Sequence, residues 1–265
     1  TTESPKIYYH ALGTAQDKDV LVFQNPGKEQ RYYWPSASKD EKYLFISESQ
    51  GTHGNAVHYR RASDNEAELT QLFAGFEYDY SIIAVTGDKA LVYTNENADN
   101  YKIIEVDLAN SKAASTDVIA EGDLVMTGAS LVSGRLFIQY LENATSKIVE
   151  YNLDGEEQAV IELPGLGQVN GFGAEREAKE IFYTFSSYTN PATVYHYDLE
   201  TRKSTQHFEN TYPIDLDQFE SKKVWYKSKD GTKIPMIITH KKGLEYNGKN
   251  PTLLYGYGGF NISIR

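Results

Sequence analysis

Tyr43-Leu-Phe-Ile-Ser47 and Ala56-Val-His-Tyr-Arg60 form the stretch that decides the fold. The first segment is a short apolar run, the second alternates apolar and polar residues, and a polar turn separates them. This pattern predicts a β-hairpin with one buried and one half-buried strand. The same pair of segments recurs three more times, at Ala90–Thr94 with Ile103–Asp107, at Arg135–Gln139 with Ile148–Asn152, and at Glu180–Thr184 with Thr193–Tyr197.

The spacing of these hairpins is regular. Their equivalent residues Leu44, Leu91, Leu136 and Ile181 are 47, 45 and 45 positions apart. A period of about 40–50 residues with about four strands per unit is typical of a β-propeller blade. A β-sandwich of evenly spaced strands is the alternative, but it gives no reason for so regular a repeat. We therefore predict an all-β propeller segment.

The chain is predicted to enter partway through a blade. Lys6-Ile-Tyr-Tyr-His10 resembles the alternating second strand of the repeat and stands 50 positions before Ala56–Arg60. The sequence thus predicts four full inner hairpins and one partial blade. Two further strands are expected between the hairpins, at Ser81–Val85 and Leu124–Met126.

The repeat stops near His207, and the texture of the sequence changes. Thr211–Asp217 reads as a linker, and Val224–Lys227 and Ile234–Thr239 are predicted to pair across the turn signal Ser228-Lys-Asp-Gly-Thr232. A further strand is expected at Thr252–Tyr255. We therefore assign residues 1–210 to propeller blades. Residues 211–265 are assigned to a linker and the first strands of a second domain, too short to hold a full core.

Composition excludes several classes of function. The net charge of −11 argues against a nucleic-acid or anionic-membrane partner. The chain has no cysteine, so disulfides, thiolate metal sites and thiol nucleophiles are excluded. No apolar run reaches the ~18 residues that a membrane span requires. The six histidines show no metal-binding spacing, and we predict neither a metal nor a cofactor.

The last stretch of the chain carries the candidate chemistry. An apolar run, Leu253–Tyr255, meets Gly256, Gly258 and Gly259, so a buried strand is expected to end in a turn that other groups can approach closely. In α/β-hydrolases such a turn supplies oxyanion-hole donors. Tyr257 lies among the glycines, where its O–H could reach a developing alkoxide. A tight turn with packed aromatic side chains is the alternative.

Two segments resemble the junction between propeller and hydrolase domain in prolyl oligopeptidases: Ser228-Lys-Asp-Gly-Thr-Lys-Ile-Pro-Met236 and Leu254-Tyr-Gly-Tyr-Gly-Gly-Phe-Asn-Ile-Ser263. Tyr8–Thr14 is similar to a propeller segment of that family. The resemblance implies that the chain holds the later blades of a seven-bladed propeller and the first strands of an α/β-hydrolase domain. It also implies a propeller that covers the active-site mouth of a serine peptidase and admits short peptides, which are cut after proline.

The resemblance implies three site residues. Tyr257 matches the family's oxyanion-hole tyrosine, and Phe260 matches the aromatic wall of the pocket for the substrate proline ring. Thr52 falls in a propeller loop that points into the substrate cavity. Some members carry cysteine where this chain has Thr52, and an ordinary surface turn accounts equally well for that residue.

The chain contains no Gly-x-Ser-x-Gly nucleophile elbow. The family order implies that the catalytic Ser, Asp and His lie beyond Arg265, so the chain alone is expected to be inactive. The implied partners are short proline-containing peptides and the remainder of the hydrolase domain, in the cytoplasm or, alternatively, the periplasm. A related peptidase with basic or acyl-amino specificity, or a non-enzymatic peptide-binding propeller, stays open.

Overall fold

The computed structural model describes residues 4–64, 67–208 and 210–259. The chain divides into two compact units, Thr1–Asp123 and Leu124–Arg265. The regular secondary structure of the described residues consists of twenty strands and two single-turn 3-10 helices, at Gln16–Lys18 and Leu216–Gln218.

The first unit holds three antiparallel sheets. Sheet A pairs β1 (Lys6–Tyr9) with β2 (Val20–Gln24). Sheet B contains β3 (Tyr32–Ala37), β4 (Tyr43–Ser49), β5 (Asn55–Arg61) and β6 (Thr70–Phe73), in chain order. Sheet C contains β7 (Tyr80–Thr86), β8 (Lys89–Thr94), β9 (Lys102–Asp107) and β10 (Thr116–Ile119), also in chain order.

The second unit also holds three antiparallel sheets. Sheet D contains β11 (Val125–Val132), β12 (Arg135–Glu142), β13 (Thr145–Tyr151) and β14 (Glu157–Ile161). Sheet E contains β15 (Gln168–Gly173), β16 (Glu180–Ser186), β17 (Thr193–Asp198) and β18 (Lys203–Phe208). Sheet F pairs β19 (Phe219–Lys227) with β20 (Lys233–Lys241).

The four predicted hairpins are confirmed as the middle strand pairs of the four-stranded sheets: β4 with β5, β8 with β9, β12 with β13, and β16 with β17. A middle strand has ladder partners along both edges and lies at the centre of its sheet. Side chains on its faces are therefore far from the sheet edges, where solvent has access. Phe45, Ile46 and Leu136 are accordingly almost inaccessible to solvent. The strands expected at Ser81–Val85 and Leu124–Met126 correspond to β7 and to the start of β11. The strand predicted at Lys6–His10 is β1, and among the described strands its ladder partner is β2.

Each unit has its own apolar core. In the first unit, side chains of sheets B and C pack together, including Phe45, Val57 and Ile104. In the second unit, a second cluster joins sheets D and E and includes Phe137 and Tyr183. Tyrosines and phenylalanines fill much of both clusters, because large flat rings pack well on pleated surfaces.

Polar contacts also join neighbouring sheets within each unit. In the first unit, the Tyr43 hydroxyl donates to Asp88 Oδ1 at 2.5 Å and Arg61 Nη2 lies 3.0 Å from the same oxygen. Burial, with this hydrogen bond to Asp88, raises the pKa of Tyr43 to about 12. In the second unit, buried Glu150 accepts two hydrogen bonds from Arg202, at 3.0 and 2.9 Å. These contacts hold each sheet in position against its neighbour.

The hairpin predicted near the end of the chain is confirmed. β19 and β20 pair in continuous register from Phe219↔Lys241 to Lys227↔Lys233. In the turn, Ser228 N donates to Thr232 O at 2.8 Å, and Gly231 adopts a φ of +87° that favours glycine. Pro235 lies opposite Trp225 in this two-stranded sheet, where a residue without an N–H is tolerated.

The strand predicted at Thr252–Tyr255 is wrong for this structure, in which that segment is irregular. Leu253 is 91% exposed and Leu254 is 81% exposed, so the apolar run is not buried either. A strand exists only through its ladder partners, and no strand of the described residues pairs with this segment. The apolar sequence therefore indicates a propensity to form a strand, which requires a partner strand to pair with.

Candidate functional site

Tyr257 lies in the irregular segment that follows sheet F, and its side chain is 48% exposed. The ring folds back over Gly259, with its hydroxyl 2.7 Å from the point where a Cβ of residue 259 would lie. Gly259 thus leaves the space that the phenol occupies. Phe260, the predicted wall of the proline pocket, lies outside the described residues.

Thr52 lies between β4 and β5, in the segment of residues 50–54 that we call the Thr52 loop. Its tip, Thr52 and His53, is exposed, whereas Gly54 is buried. Gly51 and Gly54 adopt φ angles of +99° and +71°, which allow the chain to reverse within so few residues. The loop therefore presents two polar side chains on a buried base.

The base of the Thr52 loop is fixed to the connection between sheets B and C. Gly54 N donates to Asp79 Oδ1 at 3.0 Å, and Asn55 N donates to Tyr78 O at 2.9 Å. The Asn55 amide also makes two bonds to the backbone of Tyr80, at 3.0 and 2.8 Å. These four bonds tie the loop to residues 78–80.

Gly54 has no room for a side chain. A Cβ at this position would lie 2.0 Å from the Phe76 carbonyl oxygen, and the φ of +71° disfavours any L-residue. We expect Gly54→Ala to lower the free energy of unfolding by about 2 kcal/mol. Gly75→Ala is the matched control, since Gly75 also has a positive φ of +80° but has no atom within 4 Å of its Cβ position. Urea unfolding of both variants checks this, and equal losses would contradict the steric argument.

A buried carboxylate lies on β4, the strand that precedes the Thr52 loop. Glu48 is 3% exposed and accepts hydrogen bonds from Arg31 at 2.5 Å and Asn25 at 3.1 Å, and His58 Nε2 lies 3.1 Å from its second oxygen. Burial alone raises the pKa of the Glu48 carboxyl, but the hydrogen bonds from Arg31, His58 and Asn25 outweigh it and hold the pKa below its usual value. The carboxylate joins sheet B to the segment that follows β2.

The predicted site residues fall in different units. Thr52 belongs to the first unit and Tyr257 to the second, and each is placed by the contacts of its own unit. Sequence reasoning missed Asn55 and Asp79, which hold the base of the Thr52 loop, and the buried Glu48 of the preceding strand. Glu48 gave a signal, since it is a charged residue within the largely buried strand β4. Asp79 gave none, because its contact with Gly54 joins residues 25 positions apart.

A cavity of about 390 Å³ lies in the second unit between sheets D and E. It is lined by Gly128, Ala129, Phe137, Gln139, Ile148, Gly171, Phe172 and Gly173, and Gln139 is the one polar side chain among them. The Gln139 amide donates to the carbonyl of Val169 at 2.9 Å. The lining of this cavity thus mixes backbone, apolar side chains and one amide, and it includes no charged or nucleophilic side chain.

Two other kinds of feature are absent from the described part of the chain. Over residues 4–64, 67–208 and 210–259, no three His, Cys, Asp or Glu side chains gather as metal ligands would. Within the same ranges, no helix has the length and apolar character that crossing a membrane requires.

Comparison with known proteins places the chain in a family. Residues 1–209 match the family described as prolyl oligopeptidase, N-terminal β-propeller domain. The prolyl endopeptidase of Elizabethkingia miricola is 36% identical over 265 residues, which cover all of this chain and 37% of the relative. The dual function macrocyclase-peptidase POPB of Galerina marginata is 30% identical over 96% of this chain and 36% of the relative.

Solved structures agree with these sequence matches. A structure from a study of inter-domain dynamics in two prolyl endopeptidases has a TM-score of 0.88 at 33% identity, over 98% of this chain and 38% of that one. Prolyl oligopeptidase B from Galerina marginata, bound to a 35mer hydrolysis and macrocyclization substrate, has a TM-score of 0.84 at 27% identity, over 93% and 36%. The chain spans little more than a third of the length of these relatives. The predicted blade repeat is therefore confirmed: the chain belongs to the prolyl oligopeptidase family, and its four-stranded sheets lie in the part that matches the family's N-terminal β-propeller domain.

Proposed function

We propose that the chain is part of a serine peptidase that cleaves short peptides on the carboxyl side of proline. The observation that carries this proposal is the 36% identity to a prolyl endopeptidase over all 265 residues. This similarity does not stop where the propeller match ends at residue 209. It extends through sheet F to the glycine-rich segment around Tyr257.

We assign residues 1–210 to later blades of a seven-bladed propeller, and residues 211–265 to a linker and the first strands of an α/β-hydrolase domain. The last four-stranded sheet ends at Phe208, and the two-stranded sheet F begins at Phe219. The apolar run at Thr252–Tyr255 would become a strand when neighbouring strands of a complete hydrolase sheet pair with it. Its exposed leucines are what such a sheet would bury.

The mechanism we propose is acyl transfer through a serine ester. A serine oxygen attacks the carbonyl carbon of the proline residue. The serine proton passes to a histidine base while negative charge develops on the carbonyl oxygen. The Tyr257 O–H donates a hydrogen bond to that oxygen, and Phe260 packs against the proline ring. As the intermediate collapses, the C–N bond breaks, the histidine gives its proton to the leaving amine and the serine ester remains. Water then hydrolyses the ester, which releases the peptide acid and restores the serine hydroxyl. The serine, aspartate and histidine would be supplied by residues beyond position 265.

The propeller would select substrates by size. A narrow and largely rigid entrance admits unstructured peptides and excludes folded proteins. Support comes from the buried middle strands and from the polar ties between neighbouring sheets, such as Tyr43 to Asp88 and Arg202 to Glu150. The Thr52 loop would face the substrate cavity. A cytoplasmic location, with the periplasm as the alternative, accompanies this assignment.

Matched peptides test the proposed function. The full-length protein should cleave a short peptide after proline. Its kcat/KM for this peptide should be about 100-fold above that for a peptide with arginine at the proline position, and about 100-fold above that for an acyl-amino peptide. The isolated 265-residue chain should give no turnover and serves as the control. Faster cleavage after arginine, or of the acyl-amino peptide, would assign the related specificity instead. Binding of all three peptides without cleavage would make the protein a binding module.

A further inference from the structure

The Thr52 loop combines an exposed tip with an immobilised base. Thr52 and His53 face solvent, while Gly54, next along the chain, is buried. The position of the tip therefore depends on what holds Gly54. That contact is the hydrogen bond from Gly54 N to Asp79 Oδ1, at 3.0 Å.

Asp79 joins three segments of the first unit. Its Oδ1 accepts from Gly54 N, and its Oδ2 accepts from the Tyr101 hydroxyl at 2.7 Å. Its own backbone N–H donates to the Asn95 side chain at 2.7 Å. The carboxylate thus connects the loop of sheet B to the β8–β9 connection of sheet C, with a separate partner on each oxygen.

The Tyr101 end of this connection is itself held in place. Tyr101 has a φ of +66°, which a tyrosine rarely adopts, and its ring stacks on Tyr93 at 4.6 Å with an angle of 5° between the planes. Burial, followed by the hydrogen bond to Asp79, raises the pKa of Tyr101 to about 12, so the hydroxyl stays protonated and able to donate at neutral pH. Such a backbone angle persists only where the surroundings impose it.

We propose that Asp79 is a positioning residue that holds Thr52 and His53 where they contact the peptide substrate. This inference rests on the proposed function. The threonine hydroxyl and the imidazole can exchange hydrogen bonds with the backbone of an extended peptide. A tip that is fixed before binding loses less conformational entropy when the peptide arrives, so the anchor contributes to affinity.

The structure provides a matched control. Asp88 also ties sheet B to sheet C, through Tyr43 and Arg61, but Tyr43 begins β4, whereas the Thr52 loop follows its end. Seven residues of strand separate the two places, a distance of about 20 Å. Asp79→Ala and Asp88→Ala therefore each remove one junction carboxylate, and only the first removes a hydrogen bond to the Thr52 loop.

The experiment compares both variants in the full-length protein with a short proline-containing peptide. Asp79→Ala should raise KM about fivefold to tenfold and leave kcat within about twofold, because one anchoring hydrogen bond is lost and the chemistry is untouched. Asp79→Asn should restore much of the KM, since its carbonyl oxygen still accepts from Gly54. Asp88→Ala should leave both constants unchanged well below the unfolding temperature. Equal effects of the two alanine variants on KM would overturn the proposal.

Hydrogen exchange separates this inference from the proposed function. The Gly54 amide should exchange slowly in the wild type and at least about tenfold faster in Asp79→Ala, whether or not peptides are cleaved. Faster exchange with an unchanged KM would show that the loop is anchored but does not meet the substrate, which overturns the inference alone. A wild-type protein that cleaves no proline peptide would overturn the proposed function and the substrate role of the loop together. Unchanged exchange would remove Asp79 as the anchor.

Discussion

Replacing Tyr257 by phenylalanine in the full-length protein should lower kcat by roughly 10²–10³, the usual scale for the loss of one oxyanion donor. The substitution removes only the hydroxyl. The ring is half exposed and lies over Gly259, so phenylalanine fits the space that tyrosine occupies. KM should change little, because the hydrogen bond strengthens as negative charge develops in the transition state.

Tyr255→Phe is the control for this prediction. Tyr255 precedes the glycine turn that holds Tyr257 and is assigned no part in the chemistry, so losing its hydroxyl should leave kcat within about twofold. Steady-state kinetics on a short proline-containing peptide measures both variants. A Tyr257→Phe variant with a kcat close to that of the wild type would remove Tyr257 from the mechanism.

Glu48→Ala should lower the free energy of unfolding of the first unit by about 3 kcal/mol, because it leaves a largely buried cation without its counter-charge. The Glu48 side chain is 3% exposed and that of Arg31 is 17% exposed. The hydrogen bonds from Asn25 and His58 are lost as well. The expected cost is therefore far above that of a surface ion pair.

Glu105→Gln is the matched control for Glu48→Ala. Glu105 also lies on a strand of the first unit and pairs with Lys89, but the two side chains are 32% and 64% exposed, so the change should cost under about 0.5 kcal/mol. The chain has two tryptophans, and Trp34 is in the first unit. Urea unfolding in a Trp225→Phe background therefore reports on that unit through the fluorescence of Trp34. Equal losses for Glu48→Ala and Glu105→Gln would contradict the account of the buried cluster.

The pH dependence of stability gives a second measurement on Glu48. The folded protein holds the pKa of this carboxyl below its usual value of 4.5. A carboxyl with a depressed folded pKa stabilises the fold above its unfolded pKa, and that contribution is lost as the pH falls through the folded pKa. The difference in stability between wild type and Glu48→Ala should thus be full at neutral pH and shrink below about pH 4. A difference that grows on acidification would contradict this assignment.

Much of the fold could be predicted because each blade shows a local pattern of apolar and polar residues in the sequence. Leu44, Leu91, Leu136 and Ile181 each mark a buried strand, and each turn that follows is polar, so the middle strand pairs were all identified. The hairpin of sheet F was found for the same reason. The prediction of a strand at Thr252–Tyr255 was wrong. An apolar run indicates burial, but it does not show whether a partner strand is present.

The candidate site could be predicted only where one short motif carries it. Tyr257 stands among glycines that are visible in the sequence, and Thr52 follows a glycine in a turn. The groups that hold the Thr52 loop were not visible, because Asp79 contacts the loop, and Tyr101 contacts Asp79, only where neighbouring sheets meet. Such contacts depend on how sheets pack and leave no periodic signal along the chain. Phe260 lies outside the described residues, so its role stays a prediction.

The most direct test of the central claim is a crystal structure of the full-length protein with a short peptide aldehyde that ends in proline. We expect the aldehyde carbon to be bonded to a serine beyond residue 265, with the resulting oxygen within about 3 Å of the Tyr257 hydroxyl. The proline ring should lie against Phe260, and the Thr52 loop should face the peptide. An adduct oxygen bound by other donors, with the Tyr257 side chain directed into solvent, would contradict the claim that this segment completes the active site of a prolyl peptidase.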